Sequence, residues 1–495
     1  MNILGISAGY HDAAATVIDT QGDILFAGHS ERYSRQKNDP EIHIDLIWEL
    51  ADGRSIDHIA YYETPWRKQL RQLYSGQGIE WSKLTTRQVI QQQLQGYFSS
   101  TPVSTHGHHL SHAAGGFQTS PFDRATVVVI DAIGEFDTIS IIGAEYDREG
   151  KAVYKKLWGQ KYPHSIGLFY SAITKRVGLR PLDEEYITMG MSAYSQHGNV
   201  YAMAMKPLLI DDVDRITFKQ NMHVGLPEDF MSSVDDYDIA GAAQSLVEEL
   251  IYSVMRRAQA FNWSTNLVYQ GGVALNCLAN RNLGEYFENI WIMPNPGDAG
   301  SSLGAAALAH GGKINFTDAY LGTNIPGAYP VDDIISSLLR DKICGVASGR
   351  AEFGPRALGN RSLLADPRGP DIKDQVNEIK RRQQFRPFAP VILAEHADVF
   401  FSMPRGFGSS PYMQSVAHCR RPDAFPAIVH YDGTSRVQTV ANNGSGIRRL
   451  LEAWYAETGC PMLLNTSLNI RGEPMVNTRA DADRFEQLYG VKVCS

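Results

Sequence analysis

The chain has 495 residues, 43% hydrophobic and 20% charged, enough for two or three domains with ordinary cores and unlike a disordered chain. Its net charge of −8 argues against a surface that grips nucleic acid throughout, while leaving room for one local basic groove. Five scattered cysteines with no CxxC pair point to neither a disulfide framework nor a thiolate metal site, and no apolar run nears the ~20 residues of a membrane span, so a soluble cytoplasmic protein with no membrane partner is expected.

The first thirty residues read as strand, polar loop, strand, turn, strand: NILGIS, the loop from Ala8 to Asp12, AAATVID, TQGD and ILFAGHS. The same grammar returns from 126, as TVVVIDA, IGEFD, TISIIGAEY, DREGK and AVYKKLW, with a helix over Ser165 to Val177. Two such units, each followed by helices, predict a duplicated nucleotide-binding core of the actin and sugar-kinase kind, its two polar loops facing each other. From 266, NLVYQ runs into Gly271-Gly272 and a helix from Ala274 onwards; from 290, IWIMP runs into a loop and the helix SSLGAAALAH. The Pro- and Gly-rich text LGTNIPGAYPV at 321–331 predicts a domain break near 330. Between Pro65 and Arg87 stand Trp66, Arg67, Lys68, Arg71, Tyr74, Trp81 and Lys83, a run that is ordinarily a solvated face.

In HGHHLSHAA, His108 and His112 stand four apart, so on a helix their imidazoles share a face and can share a cation; His109 and His112, three apart, offer the same. Asp131 ends the strand TVVVID and Asp298 precedes the helix SSLGAAALAH, both where a cleft opens at strand ends, although each is equally a favoured turn or N-cap residue. Two imidazoles and two carboxylates suit iron, manganese, cobalt or zinc. The Gly271-Gly272 segment and Gly297 to Ser301 each place free N–H groups at a helix start, where a phosphate is favoured.

The C-terminal region embeds arginines among Gly, Pro, Asn and Thr in GRAEFGPRALGNRS (349–362), KRRQQFRPFAP (380–390), HYDGTSRVQ (430–438) and NTSLNIRGEP (465–474). Guanidinium forks beside the hydroxyls of Thr466 and Ser467 suit a pocket for several phosphates. Structural pairing with Glu352, Asp366 or Glu473 is the competing reading.

From residue 2 to about 480 the chain resembles the O-carbamoyltransferases of the nodulation-factor, aminoglycoside and cephalosporin pathways. The resemblance is carried by GYHDAAA (9–15), SERYSRQK (30–37), HHLSHA (108–113), DAIGE (131–135), GLFYSAIT (167–174), EEYITMGMSAY (184–194), GGVALNCLANRNL (271–283), GDAGSSLGAA (297–306), EFGPRALGNRS (352–362), FRPFAPV (385–391), DGTSRVQ (432–438) and LLNTSLN (463–469). It implies an α/β fold with a duplicated actin/sugar-kinase-like domain over 1–330, like the threonylcarbamoylation ATPase, and a C-terminal α+β domain over 331–495, like its carbamoyl-adenylate-forming partner. It further implies that carbamoyl phosphate and ATP, with Mg2+, give carbamoyl-adenylate, whose carbamoyl group passes to an acceptor hydroxyl beside a divalent metal.

By motif, the metal ligands are His108, His112, Asp131 and Asp298, with Fe2+ favoured and Mn2+ or Zn2+ as alternatives. Gly271, Gly272, Asn276 and Asn280 lie near the adenylate, and Lys380, Arg386, Arg356, Arg361, Arg436, Ser467 and Asn469 line the carbamoyl phosphate and ATP pocket. His11 is the expected base, with a phosphate contact or a purely structural loop histidine as its competing roles. Ala132 stands where the family often has Gly. A hydroxylated small molecule or sugar is the expected acceptor. Hydroxymethylcytosine DNA is the alternative, gripped by the stretch at 65–87 with Arg420 and Arg421, and a homodimer is compatible. Rival readings are a sugar kinase or ATP hydrolase of the same fold, and an ATP-binding regulatory subunit without turnover.

Overall fold

The computed structural model describes residues 1–210, 212 and 215–495. The chain divides into two units: Met1–Ser30 with Asn38–Thr317, and Glu31–Lys37 with Asp318–Ser495. The division precedes the Pro- and Gly-rich text used to place a break near 330. Tyr320–Ile325 within that region is a strand, paired antiparallel with Gly349–Glu352 of the second unit.

The first sheet of unit 1 contains β1 (Ile3–Ser7), β2 (Ala14–Ile18), β3 (Ile24–His29), β4 (His58–Tyr61) and β5 (Val103–Thr105), in the order β3-β2-β1-β4-β5. Strands β1, β2 and β3 pair antiparallel, and β4 and β5 add in parallel. Helices α1 (Pro65–Tyr74) and α2 (His108–Phe117) follow β4 and β5. The second sheet repeats the plan with β6 (Arg124–Gly134), β7 (Asp137–Tyr146), β8 (Ala152–Lys161), β9 (Asn266–Gln270) and β10 (Asn289–Trp291), in the order β8-β7-β6-β9-β10. Its pairings have the same senses, so the expected duplication is present strand for strand. The central strand β6 is buried from Ala125 to Asp131, and its β-branched run suits a strand covered on both faces.

Helices α3 (Ile166–Arg176), α4 (Asp236–Ala260) and α5 (Ser301–His310) complete the part of unit 1 that positions the site. Alanines give α5 its helix propensity, and Gly311, at φ 86°, ends it in the left-handed conformation. Helices α2 and α5 meet backbone to backbone. A Cβ at Gly304 would lie 1.8 Å from the carbonyl oxygen of Ser111, and one at Gly115 would lie 3.4 Å from Gly304 Cα. That approach brings the helix bearing both histidines against the helix that follows Asp298.

Unit 2 is built on β11 (Ile343–Ala347), β12 (Arg361–Ala365), β13 (Ala389–Leu393), β14 (Gln438–Val440), β15 (Met462–Ser467) and β16 (Val493–Cys494), in the order β14-β13-β15-β12-β11-β16. Helices α6 (Ile372–Ile379) and α7 (Gly446–Thr458) belong to the same unit, and α7 buries Trp454 completely against the sheet core. The mixture of parallel and antiparallel pairs fits the expected α+β character. All five cysteines are free thiols. Among the described residues, no helix is long and apolar enough to cross a membrane.

The Gly304 contact yields a direct test. Gly304→Ala forces the α2–α5 crossing apart, and overpacking of this kind costs about 1–3 kcal/mol. A lowered urea midpoint is expected, and a midpoint equal to that of the parent would show the crossing to be more pliable than its geometry implies.

Candidate metal centre

Helix α2 is buried nearly all round, so each of its imidazoles must find a polar partner. His109 turns away from the other two: its Nδ1 lies 2.8 Å from Ser140 Oγ on β7, and burial followed by the charge of His108 holds its pKa well below 6.5. The choice between histidine pairs therefore resolves to His108 and His112, whose Nε2 atoms are 3.1 Å apart. His108 Nε2 lies 3.3 Å from Asp131 Oδ2 and 3.3 Å from Asp298 Oδ1, and His112 Nε2 lies 3.2 Å from the same Asp298 oxygen. One donor atom from each of the four residues falls within 4.8 Å of all the others, and all four residues are buried.

This geometry suits a cation. Donors held about 2.1 Å from a four-coordinate ion stand roughly 3.4 Å apart, close to the separations seen. Charge points the same way. Burial opposes ionisation of both carboxylates, and Asp298 further opposes that of Asp131, yet the histidines hold both below the usual carboxylate range. Burial would also lower His108, but Asp298 and Asp131 outweigh it and raise that imidazole well above 6.5. The cluster thus draws positive charge to its centre.

Three of the four side chains are backed by the chain around them, as ligands of a metal commonly are. His112 Nδ1 is 3.1 Å from Pro296 O. Gly272 N–H donates to Asp131 Oδ1 at 3.1 Å. Gly271 makes this approach feasible: its φ is 91°, and a Cβ there would lie 2.2 Å from Ile130 O. Gly167 packs against the backbone of Ala132, where a Cβ would lie 2.9 Å from Ala132 Cα. On the far side of the cluster, His108 Nδ1 faces Glu63 Oε2 at 3.7 Å.

The segment after Gly271 differs from the expected helix. Gly272–Leu275 is a 3-10 turn and Cys277–Asn280 a single helical turn. Several of its N–H groups already have partners: Gly271 donates to Pro296 O, Ala274 to Gly271 O and Asn276 to Val273 O. Asn276 exchanges amide hydrogen bonds with Gln244 and caps Ala279 N–H, while Asn280 Nδ2 donates to Ala274 O. The glycine pair serves Asp131, and the phosphate cradle expected there lacks these donors.

His11 sits in the loop between β1 and β2, about a quarter of its side chain reaching the surface, with Nε2 3.7 Å from Asp298 Oδ2 and Nδ1 3.1 Å from Asp12 Oδ2. Burial would lower it, but the Asp12 hydrogen bond and the charges of Asp298 and Asp131 raise it to about 9. In this environment the imidazole carries a proton and suits an anion contact. The base role expected of it requires positive charge in the cluster to offset those carboxylates.

Several cations at 65–87 are not a solvated face. Lys68 and Arg71 are buried, with Lys68 on Glu63 Oε1 at 2.7 Å and Arg71 on Gln77 Oε1; Arg67 pairs with Glu135 at 2.9 Å and Lys83 with Glu80 at 2.7 Å. These pairings remove most of the basic groove on which a DNA acceptor would rely. Glu63, two residues past β4, and Lys68 stand beside the cluster and were not among the residues expected there. The available signal was a carboxylate following a parallel strand next to the central one, as Asp131 follows the apolar run of its own strand.

In unit 2, Lys380 is buried at the end of α6. Its Nζ donates to Ser467 O at 2.5 Å, Asn469 O at 2.8 Å, Asn469 Oδ1 at 3.0 Å and Ser467 Oγ at 3.3 Å. Burial, with Arg382 and Arg386 nearby, pushes the ammonium well below its ordinary pKa. Arg356, Arg386 and Arg436 are half-buried, and Arg436 Nε is buried with no hydrogen-bond partner among the described residues. Arg361 departs from the expected role. It is fully buried and donates to the carbonyls of Asn477, Ser348, Gly349, Asn360 and Thr323, so its guanidinium holds loops together instead of facing a phosphate. Glu352 accepts the N–H groups of Leu358, Asn360 and Arg361, and Asp366 pairs with Arg368.

A duplicated core with a buried imidazole and carboxylate cluster, joined in one chain to an α+β unit rich in arginine, defines a two-unit group-transfer enzyme. Family models described as carbamoyltransferase N-terminus and carbamoyltransferase C-terminus match residues 2–307 and 335–493, so the chain belongs to the carbamoyltransferase family. It is 32% identical to an uncharacterized protein of Synechocystis, over 98% of this chain and 94% of that one. With nodulation protein NolNO of Sinorhizobium fredii the identity is 31%, over 95% and 76% of the two chains. With the 3'-hydroxymethylcephem-O-carbamoyltransferase of Amycolatopsis lactamdurans it is 29%, over 99% and 97%.

The cluster is testable by metal analysis. The parent protein is expected to retain a divalent transition ion, and His112→Ala or Asp298→Asn to lose it in elemental analysis after dialysis. Added ion at 100 times its Kd should stabilise the parent by about 2.7 kcal/mol and leave both variants unmoved.

Proposed function

We propose that this enzyme is an ATP-dependent O-carbamoyltransferase acting on a hydroxyl of a small molecule or sugar. The observation that carries the reading is the convergence of His108, His112, Asp131 and Asp298 on one buried point. The name of the Amycolatopsis relative, an O-carbamoyltransferase of a hydroxymethyl group, supports the acceptor class.

In unit 2, water takes the phosphoryl group of carbamoyl phosphate, whose P–O bond breaks to release phosphate and carbamate, and the carbamate oxygen then attacks the α-phosphorus of ATP. Carbamoyl-adenylate forms and pyrophosphate leaves. Arg386, Arg356 and Arg436 bind the phosphates, for which guanidinium groups are well matched. Lys380, held by Ser467 and Asn469, presents a fixed positive site whose charge an incoming anion stabilises. In unit 1, the acceptor oxygen attacks the carbamoyl carbon and AMP leaves with the bond it had to that carbon. A divalent ion on His108, His112, Asp131 and Asp298, with Fe2+ favoured, would supply Lewis acidity toward the carbamoyl oxygen. His11 lies at the edge of this cluster, where its proton can meet the adenylate phosphate and, once removed, its nitrogen can take the hydroxyl proton.

Protein incubated with ATP and carbamoyl phosphate should release pyrophosphate, and AMP on addition of a hydroxylated acceptor. Formation of ADP in place of pyrophosphate would make the enzyme a kinase or hydrolase. Lys380→Ala should slow pyrophosphate release by roughly 100-fold, the scale of one lost electrostatic donor, while metal content stays that of the parent.

A further inference from the structure

Glu63 and Lys68 form a buried ion pair that neither the family match nor the proposed chemistry assigns. Glu63 lies two residues past the end of β4 and Lys68 one turn into α1. Both are buried, and Nζ stands 2.7 Å from Oε1. The pair's other contacts run in two directions. Glu63 Oε2 faces His108 Nδ1 at 3.7 Å, and that nitrogen is buried with no hydrogen-bond partner among the described residues. Lys68 Nζ reaches Gly9 O at 3.3 Å and lies over the Tyr10 ring, 5.5 Å from its centroid, in the loop that carries His11.

We infer that Glu63 is a positioning residue for the metal centre: it accepts the Nδ1 proton of His108 and so fixes the tautomer that leaves Nε2 free for a cation, while Lys68 holds Glu63 in that orientation and ties it to the His11 loop. The inference rests on the metal reading of the cluster.

The physical case has three parts. A buried imidazole nitrogen without a partner is costly, and Glu63 provides the acceptor facing it. A carboxylate behind a ligating histidine fixes which nitrogen is protonated and raises the basicity of the other. A lone buried carboxylate would itself be unfavourable, and Lys68 supplies its counter-charge. Lys68 Nζ, 2.7 Å from Oε1, keeps a counter-charge beside the carboxylate that stands behind His108. Ligands His112, Asp131 and His108 are then each backed by a different kind of group: a carbonyl, an N–H and a charged carboxylate.

The test is a titration of the full-length, metal-free protein with Co2+, following the visible ligand-field absorption. Glu63→Gln keeps an acceptor of the same shape but removes the charge, and a Kd about 10-fold weaker is expected; Glu63→Ala removes both, and the loss should approach 100-fold. A changed ligand-field spectrum in Glu63→Ala would show that the His108 ring has moved. Ser140→Ala, which removes the partner of the non-ligating His109, should leave the Kd within twofold of the parent. If both Glu63 variants bind Co2+ as tightly as the parent, Glu63 serves only to bury Lys68 and the inference fails. If the parent binds no Co2+ with a ligand-field band, the metal reading itself fails. Should Glu63→Ala not fold, the isosteric Gln variant decides alone.

Discussion

Two carboxylates are buried at one point in unit 1, and most of what surrounds them follows from the need to compensate their charge. Removing an ionised carboxylate from water costs several kcal/mol even after relaxation, and a second one close by adds repulsion. Asp131 and Asp298 stay ionised because His108 and His112 stand between them, because Gly272 donates an N–H, and because His11 faces the open side. Such an arrangement is stable with positive charge at its centre. A proton on His108 can supply that charge, and so can a divalent ion, which makes the site responsive to what occupies it.

The duplicated sheets explain how residues so far apart in sequence reach one place. Both repeats run three antiparallel strands and then add two in parallel, so corresponding loops emerge at corresponding ends. The first repeat delivers His11 and Glu63 after β1 and β4; the second delivers Asp131 from within β6 and Gly271 just after β9. Helices α2 and α5 then bring in the two histidines and Asp298, and they do so with main chain touching main chain at Ser111 and Gly304. Small residues in the motifs HHLSHAAGG and GDAGSSLGAA are therefore part of the ligand geometry, although they touch no ligand.

Much of this was legible in the sequence. Period-two strands, the repeat at 126 and the four-residue spacing of His108 and His112 all depend on local rules, and they held. The parts that escaped depend on contacts across the chain. Lys68 and Arg71 lie in a run that reads as solvated, yet α1 turns its polar side inward because Glu63 stands there to receive Lys68. The strand at Tyr320–Ile325 hides in Gly- and Pro-rich text because its partner at Gly349–Glu352 lies beyond local reach. The glycine pair at 271 reads as the start of a helix, and whether its N–H groups serve a phosphate or Asp131 turns on a residue 141 positions earlier in the chain.

The arginines of unit 2 show the same limit most sharply. Arg356 and Arg361 share one motif and one set of neighbours in sequence, and nothing local separates them. A guanidinium has five N–H donors and no acceptor, so its role is set by where enough oxygen atoms are found. Arg361 finds them in the carbonyls of Thr323, Ser348 and Asn477, three places that only folding brings together. Burying that charge is tolerable because several carbonyl dipoles converge on it, and the backbone so held includes Gly349, at the start of the motif that carries both arginines. One arginine of the motif thus ties the surrounding backbone together from inside, while Arg356 stays half-buried five residues earlier.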